Sequence, residues 1–543
     1  MEYYPESIIN HALNMDKIIT RFPPEPNGYL HIGHIKAMET DFGFTEDVKK
    51  YMSKPAECIL RFDDTNPSAE KQEFIDGIIE SVKWLGHNPS KITFTSDYFN
   101  KLYDLAEELI NNGDAYICEL SSDDISHYRK AKLASPYRNR SIEESLRLFK
   151  EMKNGVHSEG TLCLRMKGDL DNPNPCMWDL VFYRIIFIDH HRTKNKWCIY
   201  PSYDFAHCLV DAIEGVTHSM CSKEFESRRE SYYWLIDKLN LHRPFVFEFG
   251  KVNYTHSILS KRNLMKLVDE NYISGWDDPR VLTIKGMKKR GYCPKVLRKL
   301  ARDIGLTRVN SVVQMEKLEF YLRENLDINA PRRLVVCDPL KIRIVNFESL
   351  SEEDKKCTLY NFPGFMRKII NNDIDDLEEW QVETRESRLT PVVFINRSDF
   401  KEVDDKKYFG LAPNKIVRLK YSGFIKCIKV TTNKDNEIMY LDAEYVIPEK
   451  PKKIKGILSW VPDNAIPIEI RLYKHLIENE EYDSSISLKN QINKNSITII
   501  KSLGEPSLKN NKDGICYQFE RVGYFCSYVP NIFNLIVGQK SSY

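Results

Sequence analysis

RFPPEPNGYLHIGH, residues Arg21 to His34, is the stretch on which the reading of this 543-residue chain turns. The apolar run KIITRF ahead of it reads as a short strand, PPEPNG as a loop, and LHIGHIKAMETDFGF carries apolar residues at helical spacing. Two histidines, His31 and His34, therefore flank Ile32 and Gly33 at a helix start. A helix N-terminus offers amide donors and a positive dipole end, so imidazoles placed there suit a polyphosphate anion. Gly33, with no Cβ, lets a flat base approach the backbone closely.

Working outward, ECILRF is a second short strand, and Asn66 followed by Pro67 looks like the cap and first position of a helix. Phe74, Ile75, Ile78, Ile79, Val82 and Leu85 make its apolar face, and Gly86 ends it. Alternating strand and helix point to a parallel sheet. From about residue 96 to 200 the alternation loosens, with an amphipathic stripe from Leu102 to Leu109 and the strand AYICEL, which reads as an insertion. Apolar character returns around WCIYPSYDFAHCLVDAIEGVTHSM, and KLVDE through YLREN is rich in helical periodicity. Beyond Pro331 the pattern changes to period two, clearest where Ile468, Ile470 and Leu472 alternate with Glu469 and Arg471. PVVFINR, KIVRLKY, IMYLDAEYVI, GILSWV, SITIIK and CYQFERVGYF are further such runs, which predict antiparallel barrels or a sandwich.

Composition narrows the function classes. An apolar fraction of 42% with 29% charged residues is that of a globular protein, and no run of about 18 apolar residues is present to span a bilayer. The first twenty residues have neither a signal-peptide core nor transit-peptide bias, so a cytoplasmic address is expected. Thirteen cysteines without a CxxC pair argue against a disulfide framework and a zinc ribbon, and no metal ligand is expected. With 79 basic and 78 acidic side chains the net charge is +1, so any nucleic-acid footprint has to come from local patches.

The second signal is ILSKRNL, Ile258 to Leu264, where a lysine beside a small hydroxyl residue can close over phosphates and neutralise developing charge. The histidine and lysine motifs in this order resemble the HIGH and KMSKS signatures of class I aminoacyl-tRNA synthetases. RFDDTNP (61 to 67), SPYRNRS (135 to 141), WCIYPSYDFAHC (197 to 208), EGVTHSMC (214 to 221), GWDDPR (275 to 280) and QFERVGYFC (518 to 526) extend the likeness to the glutaminyl branch of that family. The resemblance implies an α/β Rossmann-type catalytic domain with an α+β insertion, a helical domain and C-terminal antiparallel β-barrels. The expected boundaries are 1–95 and 201–252 for the halves of the catalytic domain and 96–200 for the acceptor-stem-binding insertion. A helical domain at 253–330 carries the second signature, and two anticodon-binding barrels fill 331–543. With about twenty residues ahead of the catalytic core, the appended N-terminal RNA-binding domain of many eukaryotic relatives is expected to be missing.

The same resemblance implies the chemistry. Glutamine would be activated with ATP and Mg2+ to an adenylate and passed to tRNA(Gln), with the enzyme expected to act as a monomer. It places His31, His34 and Lys261 in catalysis. ATP would be held by Glu25, Pro26 and Asn27, by His31, Ile32, Gly33, His34, Ile35, Lys36 and Ala37, by Ser222, Lys251 and Val252, and by Leu259, Ser260 and Lys261. L-glutamine would meet Asp63 through its ammonium and Tyr203 through its amide, with Arg21, His207 and Cys221 beside them. Arg332, Arg418, Gln518 and Arg521 would read the anticodon.

The glutamyl branch shares the first signature, RFDDTNP and WDDPR, so the side-chain pocket has to discriminate. Relatives of that branch end the THSMC stretch in arginine, which pairs with a γ-carboxylate; Cys221 is neutral and favours the amide. His207-Cys208 and INAPRRL also look glutaminyl. Departures from the pattern are Val246 in place of glutamine, Leu259 in place of methionine, Trp178-Asp179-Leu180 in place of RDP, and Ser227 in place of aspartate. Phe409-Gly410 replaces a basic pair and Lys420 an arginine. The reading from a different class is a synthetase-like RNA-binding protein without catalysis, against which the populated ATP motifs, Asp63 and Tyr203 stand.

Overall fold

A short helix α1 (Glu6–Leu13) leads into the strand β1 (Ile18–Phe22), and the loop after Pro23 delivers the chain to α2 (Ile32–Asp47). In the computed structural model, which describes residues 1–362 and 383–539, β1 pairs in parallel with β2 (Ala56–Phe62). Helix α3 (Gln72–Trp84) crosses back to β3 (Lys91–Phe94), parallel to β2. This is the strand–helix alternation expected from the sequence. The start of α3 is not: Asn66 and Pro67 lie in a turn, and the helix begins five residues beyond Pro67 with Lys71 as its cap. Glu70 explains this, because its carboxylate accepts the Asn66 N–H at 2.7 Å and Ser68 Oγ donates to the Asn66 side chain at 2.7 Å. These local bonds hold a turn where a helix would otherwise nucleate. Gly86 does end the helix, with φ +90°.

Next come α4 (Phe99–Asn111), β4 (Ala115–Cys118), α5 (Ser122–Lys130), α6 (Ile142–Lys153), β5 (Cys163–Met166), β6 (Val181–Ile185) and β7 (Ile199–Pro201). The four strands form one antiparallel sheet in sequence order. Its core is made by the α4 face that includes Leu102, Leu105 and Leu109, with Phe149, Phe182 and Trp197. The chain then returns through α7 (Tyr203–Ile213), β8 (His218–Ser222), α8 (Arg229–Lys238) and β9 (Phe245–Phe249), with β8 and β9 parallel. Thr217 ties β8 to β1: its N–H donates to the Ile19 carbonyl at 2.8 Å while its hydroxyl accepts the Ile19 N–H at 2.9 Å.

These elements, with residues 297–313, make one of two compact units; residues 255–296 and 314–543 make the other. In the second unit two seven-stranded sheets wrap around separate apolar cores, one on Trp460, Ile342 and Ile425 and one on Phe519, Phe525 and Ile470. Both are barrel-like, as the period-two runs predict. Ile468 and Ile470 point into the core, 4% and 0% exposed, Leu472 packs partly buried against it, and Glu469 and Arg471 stay partly exposed. All thirteen cysteines are free thiols.

Candidate active site

The start of α2 is built by its own histidines. His31 is the cap, its Nδ1 accepting the Gly33 N–H at 3.1 Å, and His34 Nδ1 accepts the His31 N–H at 3.1 Å. An imidazole whose Nδ1 accepts carries its proton on Nε2, so both rings present an N–H donor. Burial pushes the pKa of His34 down to about 4 and that of His31 well below the ordinary histidine value. At neutral pH the pair is therefore uncharged and acts through hydrogen bonds. A Cβ on Gly33 would lie 2.9 Å from His31 Cε1, so this glycine first makes room for the capping ring.

Around this helix start, Asn27 N–H donates to the Glu25 carbonyl at 2.9 Å and Lys71 N–H to that of Pro26 at 3.2 Å, which shapes the PPEPNG loop. Ile32 and Ile35 are buried, and Lys36 donates from Nζ to the Gly250 carbonyl at 2.9 Å. Ser222 ends β8, the Val252 carbonyl lies 3.6 Å from the position a Gly33 Cβ would take, and Lys251 is ion-paired with Glu224. Leu259, Ser260 and Lys261 belong to the other compact unit, where Ser260 caps helix α9 (Lys261–Asp269). That helix buries Leu264 and Leu267 against Ile477, Leu488 and Ile492.

A second feature lies behind β8. Tyr203, His207, Ser219, Cys221, Phe225 and Val246 line a narrow cavity with Arg228 and Arg229 on its wall. The Tyr203 ring stacks on His207 at 4.8 Å between centroids. Both arginines are already neutralised, Arg228 by Asp204 and Arg229 by Glu248, whose Oε1 accepts from Nε at 2.8 Å. The remaining wall is neutral, and burial raises the Cys221 thiol to about 12, so it stays protonated. Asp63 is buried, and desolvation, with Glu25 adding repulsion and Arg61 opposing, lifts its pKa to about 6.

Arg21 does not line this cavity. Its guanidinium, 0% exposed, donates to Asp211 at 3.1 and 3.3 Å, to the Met220 carbonyl at 2.8 Å and to Ser219 Oγ at 2.6 Å, and meets His207 Nε2 at 2.8 Å. Asp211 also accepts from Arg61 at 2.6 Å, and Arg61 reaches Glu214 at 3.0 Å. The network holds His207, one of the α7 residues that line the cavity, from behind. Arg228, Arg229 and Asp211 escape sequence reasoning, since their partners lie 24, 19 and 190 residues away.

In the second unit Arg332 Nε donates to Gln518 Oε1 at 2.7 Å, and both line a cavity with Lys420, Glu520 and Arg521. Lys420 is paired with Glu520, and Arg521 makes a bidentate pair with Asp399 at 3.0 Å for each bond. Arg418 stands apart from this group, its Nε 3.4 Å from the Ser422 carbonyl.

The sequence profile described as "tRNA synthetases class I (E and Q), catalytic domain" matches residues 17–328, and two described as the anti-codon binding domain of the same family match 330–446 and 457–528. The chain belongs to the class I tRNA synthetases of the E and Q type. Within this synthetase family it is 46% identical over 516 residues to a protein of Dictyostelium discoideum named "Probable glutamine--tRNA ligase". It is 45% identical over 543 residues to the cytoplasmic glutamine--tRNA ligase of Arabidopsis thaliana, and 41% over 568 residues to a glutamine--tRNA ligase of an Enterobacter species. The matches cover 94%, 97% and 100% of this chain. The chain spans 63% and 66% of the two eukaryotic relatives and 98% of the bacterial one.

Proposed function

We propose that the chain is a glutamine–tRNA ligase. The observation that carries the reading is the side-chain cavity, where both arginines are spent on Asp204 and Glu248 and the rest of the wall, Cys221 and Val246 included, is neutral. A γ-carboxylate entering there would lose its water without gaining an unpaired cation, at several kcal/mol, whereas an amide would not. The names of the three relatives agree.

In this reading the α-ammonium of glutamine sits on Asp63 and its side-chain amide meets the Tyr203 hydroxyl, while Arg21 holds His207 in place from behind. A carboxylate oxygen of glutamine attacks the α-phosphorus of ATP and pyrophosphate leaves. The terminal ribose hydroxyl of tRNA then attacks the adenylate carbonyl and AMP leaves. Positioning does most of this work, with no covalent enzyme intermediate. His31 and His34 donate Nε2–H bonds to the phosphates, and Lys261 neutralises the leaving pyrophosphate. Mg2+ would neutralise the ATP phosphates; the groups at the helix start are N–H donors and would not themselves hold the cation. Arg332, Arg418, Gln518 and Arg521 read the anticodon from the barrels. The protein acts in the cytoplasm as a monomer; no helix of the described residues is long and apolar enough to cross a membrane.

Charging of tRNA with labelled glutamine against labelled glutamate tests the proposal. Glutamine-only charging supports it, glutamate charging transfers the chain to the other branch, and charging with neither leaves an RNA-binding protein. Cys221→Arg should add the missing cation and raise kcat/KM for glutamate by roughly 10- to 150-fold, the worth of a charge-assisted bond at ~1.5–3 kcal/mol, while lowering use of glutamine. Unchanged preference in that variant would show that the cavity does not receive the side chain.

A pH dependence follows from Asp63. Its pKa of about 6 means that the carboxylate needed by the ammonium is present above that pH and protonated below it. The kcat/KM for glutamine, which reports the free enzyme, should fall about tenfold per unit below pH 6. Asp63→Asn should flatten the profile at its low level.

A further inference from the structure

Cys118 closes β4 directly opposite Cys163, the first residue of β5. Residues facing each other across an antiparallel pair have Cα atoms about 4.5–5.5 Å apart, inside the span of roughly 4.4–6.8 Å that a disulfide accepts. Both lie in one small buried cluster with Tyr116. Arg165, two residues beyond Cys163 on the same face of β5, is held by the Asp179 carbonyl at 3.0 Å and points Nη1 at Cys118 Sγ at 3.8 Å. Ser135 Oγ lies 3.5 Å from the same sulfur.

We propose that Cys118 and Cys163 are a redox-active dithiol that a hydroperoxide converts, reversibly, to a cross-strand disulfide. The hydrogen bond from Cys163, together with those from Ser135 and the Leu120 backbone and the Arg165 charge, outweighs burial and depresses the Cys118 thiol, making it the attacking sulfur; Cys163 is raised and stays protonated. The Cys118 thiolate attacks the peroxide, an S–O bond forms as O–O breaks, and the departing hydroxide takes a proton to leave as water. Cys163 then attacks the Cys118 sulfur, S–S forms as S–O breaks, and a second water leaves. Two thiols are oxidised, and one peroxide is reduced to two waters.

Cys118 is 0% exposed beneath the segment from Glu119 to Ser141, so a small oxidant reaches it only as that segment opens; helix α5 buries none of its nine residues, while Arg129, Arg138 and Arg140 anchor the segment at the Trp178, Gly168 and Ile117 carbonyls. The second facing pair, Cys516 and Cys526, differs at the sulfur, where Cys516 donates to the Gly291 carbonyl at 3.7 Å.

The test is mass spectrometry of the whole reduced protein after graded hydrogen peroxide, alkylated under denaturing conditions and digested without reductant. The expected result is a peptide pair joined through Cys118 and Cys163, two hydrogen atoms lighter, which dithiothreitol reverses and which precedes any Cys516–Cys526 link. In Cys163→Ser the same treatment should leave a Cys118 sulfenic acid that dimedone traps, and Arg165→Met should slow the reaction roughly tenfold. Full alkylation of Cys118 and Cys163 while other cysteines oxidise overturns the proposal; because that readout uses the unsubstituted protein, it does not depend on any variant folding.

Discussion

Replacing Lys261 by Ala should lower the kcat of glutamine charging by roughly 10²–10³-fold, the range found when one preorganised donor to developing charge is removed. Lys261 is the first residue of α9, behind its cap Ser260, so its ammonium adds to the amide donors and positive dipole end of that helix. If it acts on the charge that builds as pyrophosphate departs, KM for glutamine should barely move while kcat collapses, since the interaction is made only in the transition state. Alanine is a good helix former, so thermal stability should be unchanged. Steady-state aminoacylation together with pyrophosphate release measures both parameters. Activity within twofold of the parent protein would remove Lys261 from the mechanism, and Lys261→Arg, which keeps the charge, should recover a fraction of the loss.

Asp211→Asn should produce the largest loss of stability in the catalytic unit. The carboxylate is fully buried and accepts from Arg21, Arg61, Ser219 and Tyr232, the last two at 2.8 Å each. An amide keeps the shape but leaves the buried Arg21 guanidinium without its counter-charge, which costs about 3–5 kcal/mol. For a unit of this size that corresponds to a fall of roughly 6–20 °C in its melting transition, readable by calorimetry. The pH behaviour sets this residue apart. The two guanidiniums hold its pKa far below the ordinary carboxylate range, so its contribution is complete above the unfolded value and is lost only in stronger acid, as pH falls through the folded value. Unfolding that starts between pH 6 and 4 would have to come from other groups. A melting temperature within about 2 °C of the parent would show that the buried Arg21 guanidinium does not depend on this counter-charge.

Much of the fold is legible in the chain because its signals are local. The helix Ile32–Asp47 with His31 as cap and the stop at Gly86 each depend on groups within a turn of one another, and the strand Ile18–Phe22 shows as a local apolar run although its partners are Ala56 to Leu60. Where a side chain intrudes, the local reading slips: Glu70 holds Asn66 in a turn and delays α3. Strand Phe424–Thr432 went unread for a different reason. Its register shifts between Cys427 and Lys429, and an irregularity of that kind erases the period-two signature on which strands are recognised.

The candidate site divides along the same line. By itself the sequence determined which chemistry is available: imidazoles at a helix start, a lysine motif, an acidic residue after β2, and a neutral Cys221 where a cation would read glutamate. Only the tertiary structure decided which charges are free to act. Arg21, a pocket candidate by its place in the motif, is spent on Asp211, and the adjacent Arg228 and Arg229 are cancelled by Asp204 and Glu248 from two other elements. The reason is physical: the bonds that cap a helix join residues a few positions apart and a strand shows in the apolar pattern of its own residues, whereas a strand's partner and the counter-charge of a buried ion are whatever the folded chain brings within reach, at any separation along it.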